Sequence, residues 1–484
     1  MNPVTLEVIP DPVSLIESMR SVGYSVEAAV ADIVDNSLSA GAREIRILYD
    51  ASDDPFVAII DDGCGMAADE LTAAMRHGST NPTDQRGSND LGRFGLGLKT
   101  ASLSQCRQLT VVSKKDGTVS ARCWDLQVVR EQGKWVVVVP SPQDLESLPM
   151  YKKLAAQESG TLVLWKELDR LVANASDPQQ EITTRMEPLF EHLALVFHRF
   201  TQREGDHQAV SMSLNGLALP PRDPFLGSNQ FRQSLEGQVI SHERGKVEVS
   251  PFVLPPISRL SPDEIELAGG REGLRRTQGF YIYRGRRLVI WGTWFRLVPK
   301  QEFYKLTRVR VDIPNTFDEL WALDIKKSAA YPPDVIRNRL KQLIPHFADK
   351  SKKAIQYPGR TTRSSAGTPL WNRIEPKHGV FSYQVNLEHP LIRQLAERLD
   401  TLDQRHLQTI LDFLGSSIPF ESIYADMCSD QRRESNETNT DSLVDMTQTL
   451  MEATGLDLDT VLGIDPISRF PTHHEAIKER LSNV

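Results

Sequence analysis

Apolar residues recur along this chain with two different spacings, and the switches between them outline its elements. Val26, Ala29, Val30 and Ile33, continued by Ser37, follow the i, i+3, i+4, i+7 spacing of a buried helical face. Ser25 suits the start of that helix, Glu27 the positive end of its dipole, and Gly41 the left-handed turn that closes it. A smaller helix is predicted over Asp11–Arg20 and another over Asp69–Met75. Glu44–Tyr49 alternates Ile45 and Ile47 with charges, and Phe56–Ile60 is nearly all apolar, so two strands are expected. Further strands are expected at Gln108–Ser113, Val119–Leu126, Trp135–Pro140 and Gly160–Trp165.

Met186–Phe200 reads as one long helix with Pro188 near its start, and a first domain boundary is expected between Lys166 and Met186. Val210–Leu219, with its Asn215-Gly216 turn, has the pattern of a hairpin opening a second domain. Gly279–Ile290 reads as strand, turn and strand, Val309–Ile313 as a strand, and Pro333–Leu343 as a helix. Residues 349–368 are rich in Lys, Ser, Gly and Pro and read as a linker. The remainder, 369–484, is mainly helical in pattern, interrupted at Ser429–Thr440 by a polar run expected to be disordered.

Size and composition leave the class open but narrow it. At 484 residues the chain exceeds what one hydrophobic core serves, so two or three domains are expected. A net charge of −8 excludes wholesale coating of nucleic acid and leaves room for a local basic patch. One exists: Arg284–Arg310 holds eight basic residues and one acid, Glu302, with Trp291, Trp294, Phe295 and Tyr304 interleaved. Arg284, Arg286 and Arg287 there are candidates for nucleic-acid backbone contact, and the same run also fits a strand face at a domain interface. Cys64, Cys106, Cys123 and Cys428 show neither zinc nor disulfide spacing, which points to a reducing, cytoplasmic setting. Met1–Pro10 lacks the pattern of a secretory signal, and no apolar run approaches a membrane span.

Four stretches carry candidate chemistry. Asp32 and Asn36 are i, i+4 neighbours beside the apolar face of the Ser25 helix, able to handle a water and a metal. Asp61-Asp62-Gly63-Cys64-Gly65-Met66 follows a buried strand, so a carboxylate meets a backbone that turns tightly or approaches something flat. His77–Gly92 reads as a long mobile loop leading into Gly92-Arg93-Phe94-Gly95-Leu96-Gly97-Leu98-Lys99, where glycine amides, a helix start and a lysine suit phosphate. Gly160-Thr161 opens a strand with a hydroxyl.

In this order these motifs resemble the nucleotide-binding domain of the GHKL superfamily: gyrase, the ninety-kilodalton heat-shock chaperone, sensor histidine kinases and MutL. Asp35–Ala42 looks like the MutL and chaperone form of the first motif, and Asn89–Lys99 is more similar to MORC ATPases and their bacterial relatives. The resemblance implies an α+β chain: a Bergerat-type α/β sandwich ATPase domain over 1–170, an S5-like α/β transducer with its connecting helix over 171–348, then the linker and helical region. It implies ATP and Mg²⁺ as cofactors. Asn36 would ligate the metal with Asp35 beside it, Asp61 would accept from the adenine amine, and Gly63 and Gly65 would admit the base with Met66 packed on it. Thr161 would support Asp61 through a water, Gly92 through Lys99 would hold phosphates, and Lys326 or Lys327 would reach the γ-phosphate.

Asp32 stands where the family usually has its glutamate base, one methylene shorter, and a shift of about 1 Å can cost roughly a hundredfold in rate. Slow hydrolysis follows, or use of Asp35 instead. The implied activity is an ATP-gated clamp that dimerises on ATP, handling double-stranded DNA or defending against foreign DNA, with no membrane association. The alternative is a non-hydrolysing or chaperone-like scaffold whose C-terminal region holds a partner enzyme. A histidine-kinase role is disfavoured because no His precedes the first motif.

Overall fold

Phe56–Ile60 lacks strict alternation because it runs through the middle of a sheet covered on both faces. In the computed structural model, β2 (Phe56–Asp61) lies between β1 (Glu44–Asp50) and β5 (Gly160–Lys166), antiparallel to both. Val57 and Ile59 face one core with Val30, Ile33 and Val34. Ala58 and Ile60 face the other way, against Leu145 and Leu154 from the helices Pro142–Ser147 and Tyr151–Ala156. The structure describes residues 9–21, 23–76, 97–173, 175–269, 273–318, 320–321, 332–356, 368–377, 380–420, 422–423, 440–470 and 473–481. Two compact units divide the chain, 1–352 and 353–484.

The first sheet of unit one has seven strands in the order β4-β3-β5-β2-β1-β6-β7. The others are β3 (Gln108–Lys115), β4 (Thr118–Asp125), β6 (Ser211–Leu214) and β7 (Leu217–Ala218). Against it pack α1 (Pro12–Arg20) and α2 (Val26–Ser39), with α3 (Ala68–Met75) beside β4. Asp11 caps α1 by accepting from the Ser14 amide, and Ser25 caps α2 by accepting from Ala28.

Three expectations change here. Trp135–Pro140 is not a strand; Val138 makes an isolated bridge to Cys123. Met186–Phe200 is not one helix: Pro178–Met186 ends before Pro188, then Leu189–Val196 and His198–Thr201 follow. The β6–β7 hairpin joins the first sheet rather than opening a second domain, because β6 pairs parallel to β1 with Met212 opposite Ile45.

The second sheet runs β12-β11-β13-β10-β8, with β9 also on β10. Its strands are β8 (Gln233–Ser234), β9 (Gln238–His242), β10 (Gly245–Val253), β11 (Gly279–Arg284), β12 (Arg287–Thr293) and β13 (Thr307–Ile313). Gly285 and Arg286, both at positive φ, make the tight turn between β11 and β12. Ile336, Leu340 and Ile344 of the helix Asp334–Gln356 cover Ile282, Val309 and Val311. That helix continues through residues 349–356, where a linker was expected. Residues 357–367 and most of the polar run at 429–440 lie outside the described residues.

Unit two is mainly helical, with helices at Pro390–Arg398, Thr401–Ser416, Thr440–Thr454, Leu458–Leu462 and His474–Leu481. Leu443, Leu450, Val461, Ile467 and Ile477 form its core. It also contains a hairpin that the helical reading missed, β14 (Trp371–Lys377) and β15 (Val380–Val385). Pro376 sits at the irregularity in that pairing, and a proline within a run argues against a strand when the sequence is read alone.

Candidate functional site

One face of α2 lies where the first sheet, the Gly97–Ala101 turn and the second sheet converge. Asp32 and Asp35 are buried on it, while Asn36, one residue on, is open to solvent. The Tyr24 hydroxyl donates to Oδ2 of Asp32 at 3.2 Å. A Cβ placed on Gly97 would stand 3.7 Å from that same oxygen, so Gly97, which opens the π-helical turn Gly97–Ala101, lies directly against Asp32. An exposed amide oxygen at Asn36 beside a fixed carboxylate suits a hard cation shared with phosphate and water.

Asp61 ends β2 beneath the same helix. Oδ2 accepts from the Ser37 hydroxyl at 2.7 Å, and Oδ1 accepts from the amides of Gly63 at 2.9 Å and Thr161 at 3.2 Å. Burial pushes this carboxyl above the usual range, and those three donors pull against it. An ionised carboxylate has about four acceptor positions. Three are filled by the protein, which leaves room for one N–H from a ligand, as an exocyclic amine would supply.

The glycines around Asp61 are set first by the protein itself. A Cβ on Gly65, at φ +66°, would lie 2.0 Å from the Lys114 carbonyl oxygen, and one on Gly63 would lie 2.8 Å from the Ala40 Cβ. Both turns are therefore closed to larger residues before any base arrives. Met66 is half-buried, its amide donating to the Ser113 hydroxyl at 2.8 Å. Ser113 also lies 3.0 Å from the Thr161 hydroxyl, so Thr161 meets Asp61 through its own amide as well as lining this polar corner.

Of the glycine-rich stretch, Gly92, Arg93, Phe94, Gly95 and Leu96 lie outside the described residues, as do Lys326 and Lys327. Leu98 is half-buried against the core, and Lys99 is buried. The Lys99 ammonium donates to the Ala74 carbonyl at 2.8 Å, in the last turn of α3, and burial lowers it to about 8. Here it closes the end of a helix, a favourable place for a cation.

The three arginines expected to meet nucleic acid are turned inward. Arg284, 4% exposed, forks onto Asp318 with two contacts of 2.6 Å. Arg286 reaches Glu204 at 3.2 Å and stacks on Phe200. Arg287, 6% exposed, places Nε 2.8 Å from the Asp35 carboxylate and Nη2 4.0 Å from Asp32. Their charges are matched by carboxylates inside the unit: Arg284 pairs within the second-sheet layer, while Arg286 and Arg287 tie that layer to Glu204 and to α2, so these three do not form an open basic face.

Sequence reasoning missed the roles of three of these residues and gave a fourth, Arg287, a different one. Tyr24 precedes the helix it serves and carried no spacing signal. Ser37 continued the apolar face of α2, and a hydroxyl at such a position signals a buried hydrogen bond. Ser113 closes an apolar strand run in the same way. Arg287 stood in a basic run, where proximity in sequence concealed separate partners.

Residues 24–161 match the family model described as "Histidine kinase-, DNA gyrase B-, and HSP90-like ATPase". The chain thus carries an N-terminal mixed α/β ATPase domain of the GHKL type, followed by a further α/β sheet and a mainly helical C-terminal region. It is 35% identical over 126 residues to ATPase morc-1 of Caenorhabditis elegans, covering 25% of this chain and 14% of that protein. It is 26% identical over 260 residues to the DNA mismatch repair protein MutL of Koribacter versatilis, covering 49% of this chain and 39% of that protein. To MutL of Paramagnetospirillum magneticum it is 33% identical over 106 residues, covering 21% and 16%. The chain spans well under half the length of these relatives. No helix among the described residues is long and apolar enough to cross a membrane.

Proposed function

We propose that this chain binds Mg²⁺-ATP at the α2–β2 site, hydrolyses it slowly, and works as a cytoplasmic clamp whose N-terminal domains pair when ATP is bound. The observation that carries the reading is Asp61, buried with three protein donors and one remaining acceptor position. Asp61 selects the adenine amine, and Met66 with Gly63 and Gly65 borders the base. Asn36, with Asp35 behind it, would hold the metal, which would supply charge neutralisation for the phosphates. Asp32 orients and deprotonates the attacking water, kept in place by the Tyr24 hydroxyl. Gly92–Leu98 would hold the phosphates, and Lys326 or Lys327, within an S5-like transducer at 171–348, would reach the terminal one.

The printed names of two relatives, DNA mismatch repair proteins, support DNA handling as the process served, and defence against foreign DNA is a narrower form of that proposal. The test is steady-state ATPase on the full chain beside Asp32→Ala and Asp61→Asn. Turnover by the wild type, loss of turnover with retained binding in Asp32→Ala, and loss of binding in Asp61→Asn are expected; equal turnover in wild type and Asp32→Ala overturns the role of Asp32. Sizing with a non-hydrolysable ATP analogue tests pairing, and a monomer at micromolar concentration overturns it.

A second reading is favoured by the short side chain at Asp32: a scaffold that binds ATP without turning it over and holds a partner enzyme through its C-terminal region. Binding with no turnover in the wild type selects it.

A further inference from the structure

The ATP-site roles above leave Arg287 unused, although it is the second sheet's point of entry to them. It opens β12 immediately after the Gly285-Arg286 turn, so it reaches α2 because the β11–β12 hairpin docks there. Its guanidinium is buried against three groups. Nε lies 2.8 Å from Asp35, Nη2 lies 4.0 Å from Asp32, and the Phe197 ring centroid is 5.7 Å from its Cζ. Nη1 donates back to its neighbour's carbonyl, Leu288, at 3.3 Å. Asp32 and Asp35 stand one helical turn apart, both buried, and two such carboxylates repel unless a cation answers them. A planar guanidinium does so with fixed geometry, which a lysine would not reproduce.

We propose that Arg287 is a positioning residue for ATP hydrolysis: from the second sheet it orients Asp35 and offsets the charge of Asp32, so the metal-and-water end is complete when the β11–β12 hairpin is docked. This rests on the nucleotide reading of the site. Its consequence is that hairpin docking and metal-nucleotide binding are linked, each changing the free energy of the other by the same amount. Arg286, anchored on Glu204 and Phe200, holds the hairpin tip independently, so neutralising Arg287 leaves a docking contact in place.

The experiment uses the full chain as wild type, Arg287→Gln and Arg287→Lys. Binding of a non-hydrolysable ATP analogue is measured first, without metal and across a Mn²⁺ titration, followed by kcat, KM and the Mg²⁺ concentration for half-maximal turnover. In Arg287→Gln, metal-free analogue binding is expected to stay near wild type. The metal needed for half-saturation should fall about threefold to tenfold, because a compensating positive charge has been removed, while kcat falls tenfold or more at nearly unchanged KM. Arg287→Lys should restore the metal requirement and part of kcat.

A kcat and metal requirement equal to wild type in Arg287→Gln overturns the proposal, and so does a fall in kcat with an unchanged metal requirement, which is what a purely structural loss would give. Should Arg287→Gln not fold, Asp35→Asn is compared with Asp35→Asn/Arg287→Gln, in which both members of the Asp35–Arg287 pair are neutralised together. Because Asp32 remains within reach, the double variant should turn over at least tenfold more slowly than Asp35→Asn; equal turnover overturns the proposal. A wild type that binds no nucleotide defeats the nucleotide reading itself, whereas normal binding with no effect at Arg287 defeats this inference alone.

Discussion

The Ser37 hydroxyl donates to Oδ2 of Asp61 at 2.7 Å, joining α2 to the end of β2 inside the candidate pocket. Replacing Ser37 with Ala leaves a buried carboxylate short of one donor, a loss of about 1–3 kcal/mol in folding stability. It should also drive the Asp61 carboxyl further upward, since that bond is the first of those opposing burial. Denaturant melts of the variant, with nucleotide affinity measured in parallel, check both; an unchanged midpoint would remove Ser37 from the site.

Asp61 accepts from an amine most strongly when ionised, and its carboxyl is already raised by burial. Nucleotide binding should therefore weaken on acidification at a higher pH than an ordinary carboxylate would require. The sign for stability is opposite. A raised folded value means the folded chain holds this proton more tightly than the unfolded one, so Asp61 by itself favours folding at low pH and loses that contribution as pH rises through its folded value. Affinity measured against pH beside thermal melts separates the two, and parallel curves would contradict the assignment.

Gly65 and Gly41 both have positive φ, yet their substitution should differ sharply. At Gly65 a Cβ would fall 2.0 Å from a backbone oxygen, whereas at Gly41 nothing lies within 4 Å. Gly41→Ala should cost about 1 kcal/mol in backbone strain. Gly65→Ala must displace β3 or the turn, and should cost several times more or prevent folding. Comparing the two melting midpoints decides it.

His192, in the helix Leu189–Val196, is pushed down to about 4 by burial and, second, by the Arg287 guanidinium. It is uncharged in the folded chain at neutral pH, while the unfolded chain takes up a proton near its ordinary 6.5. Stability from this group is present above about pH 6.5 and is lost as pH falls toward 4. His192→Gln should flatten that part of the stability curve relative to wild type; identical slopes would show that the fold does not hold His192 uncharged.

Legibility in the sequence followed how locally each feature is determined. The bounds of α1, the Ser25 cap of α2, the central strand at Phe56–Asp61 and the β11–β12 hairpin depend on neighbours within a few residues, and each stands close to where the pattern placed it. Asp32, Asn36 and Asp61 could be named because their motifs are short. What spacing could not carry was the identity of partners distant along the chain: Tyr24 for Asp32, Ser113 for Met66, and Arg287 for Asp35, which crosses 252 positions. The start of the basic run was opaque for the same reason, since the acids that match Arg284, Arg286 and Arg287 are Asp318, Glu204 and Asp35, from other elements. The β6–β7 hairpin was recognised by its turn, but which sheet it joins is a tertiary choice.

That choice bears on how the ATPase domain can be isolated. β6 meets β1 through parallel pairing, with the Ser211 amide bonded to the Arg43 carbonyl and the Asn215 amide to that of Ile47. A fragment cut at residue 170, where motif matching alone would end the domain, strips that neighbour and leaves β1 as a bare edge bearing unpaired carbonyls. Such a fragment should self-associate through strand addition, whereas one ending after Leu219 keeps the edge covered and should remain monodisperse without nucleotide. The smallest autonomous folding piece is thus longer than the smallest recognisable one.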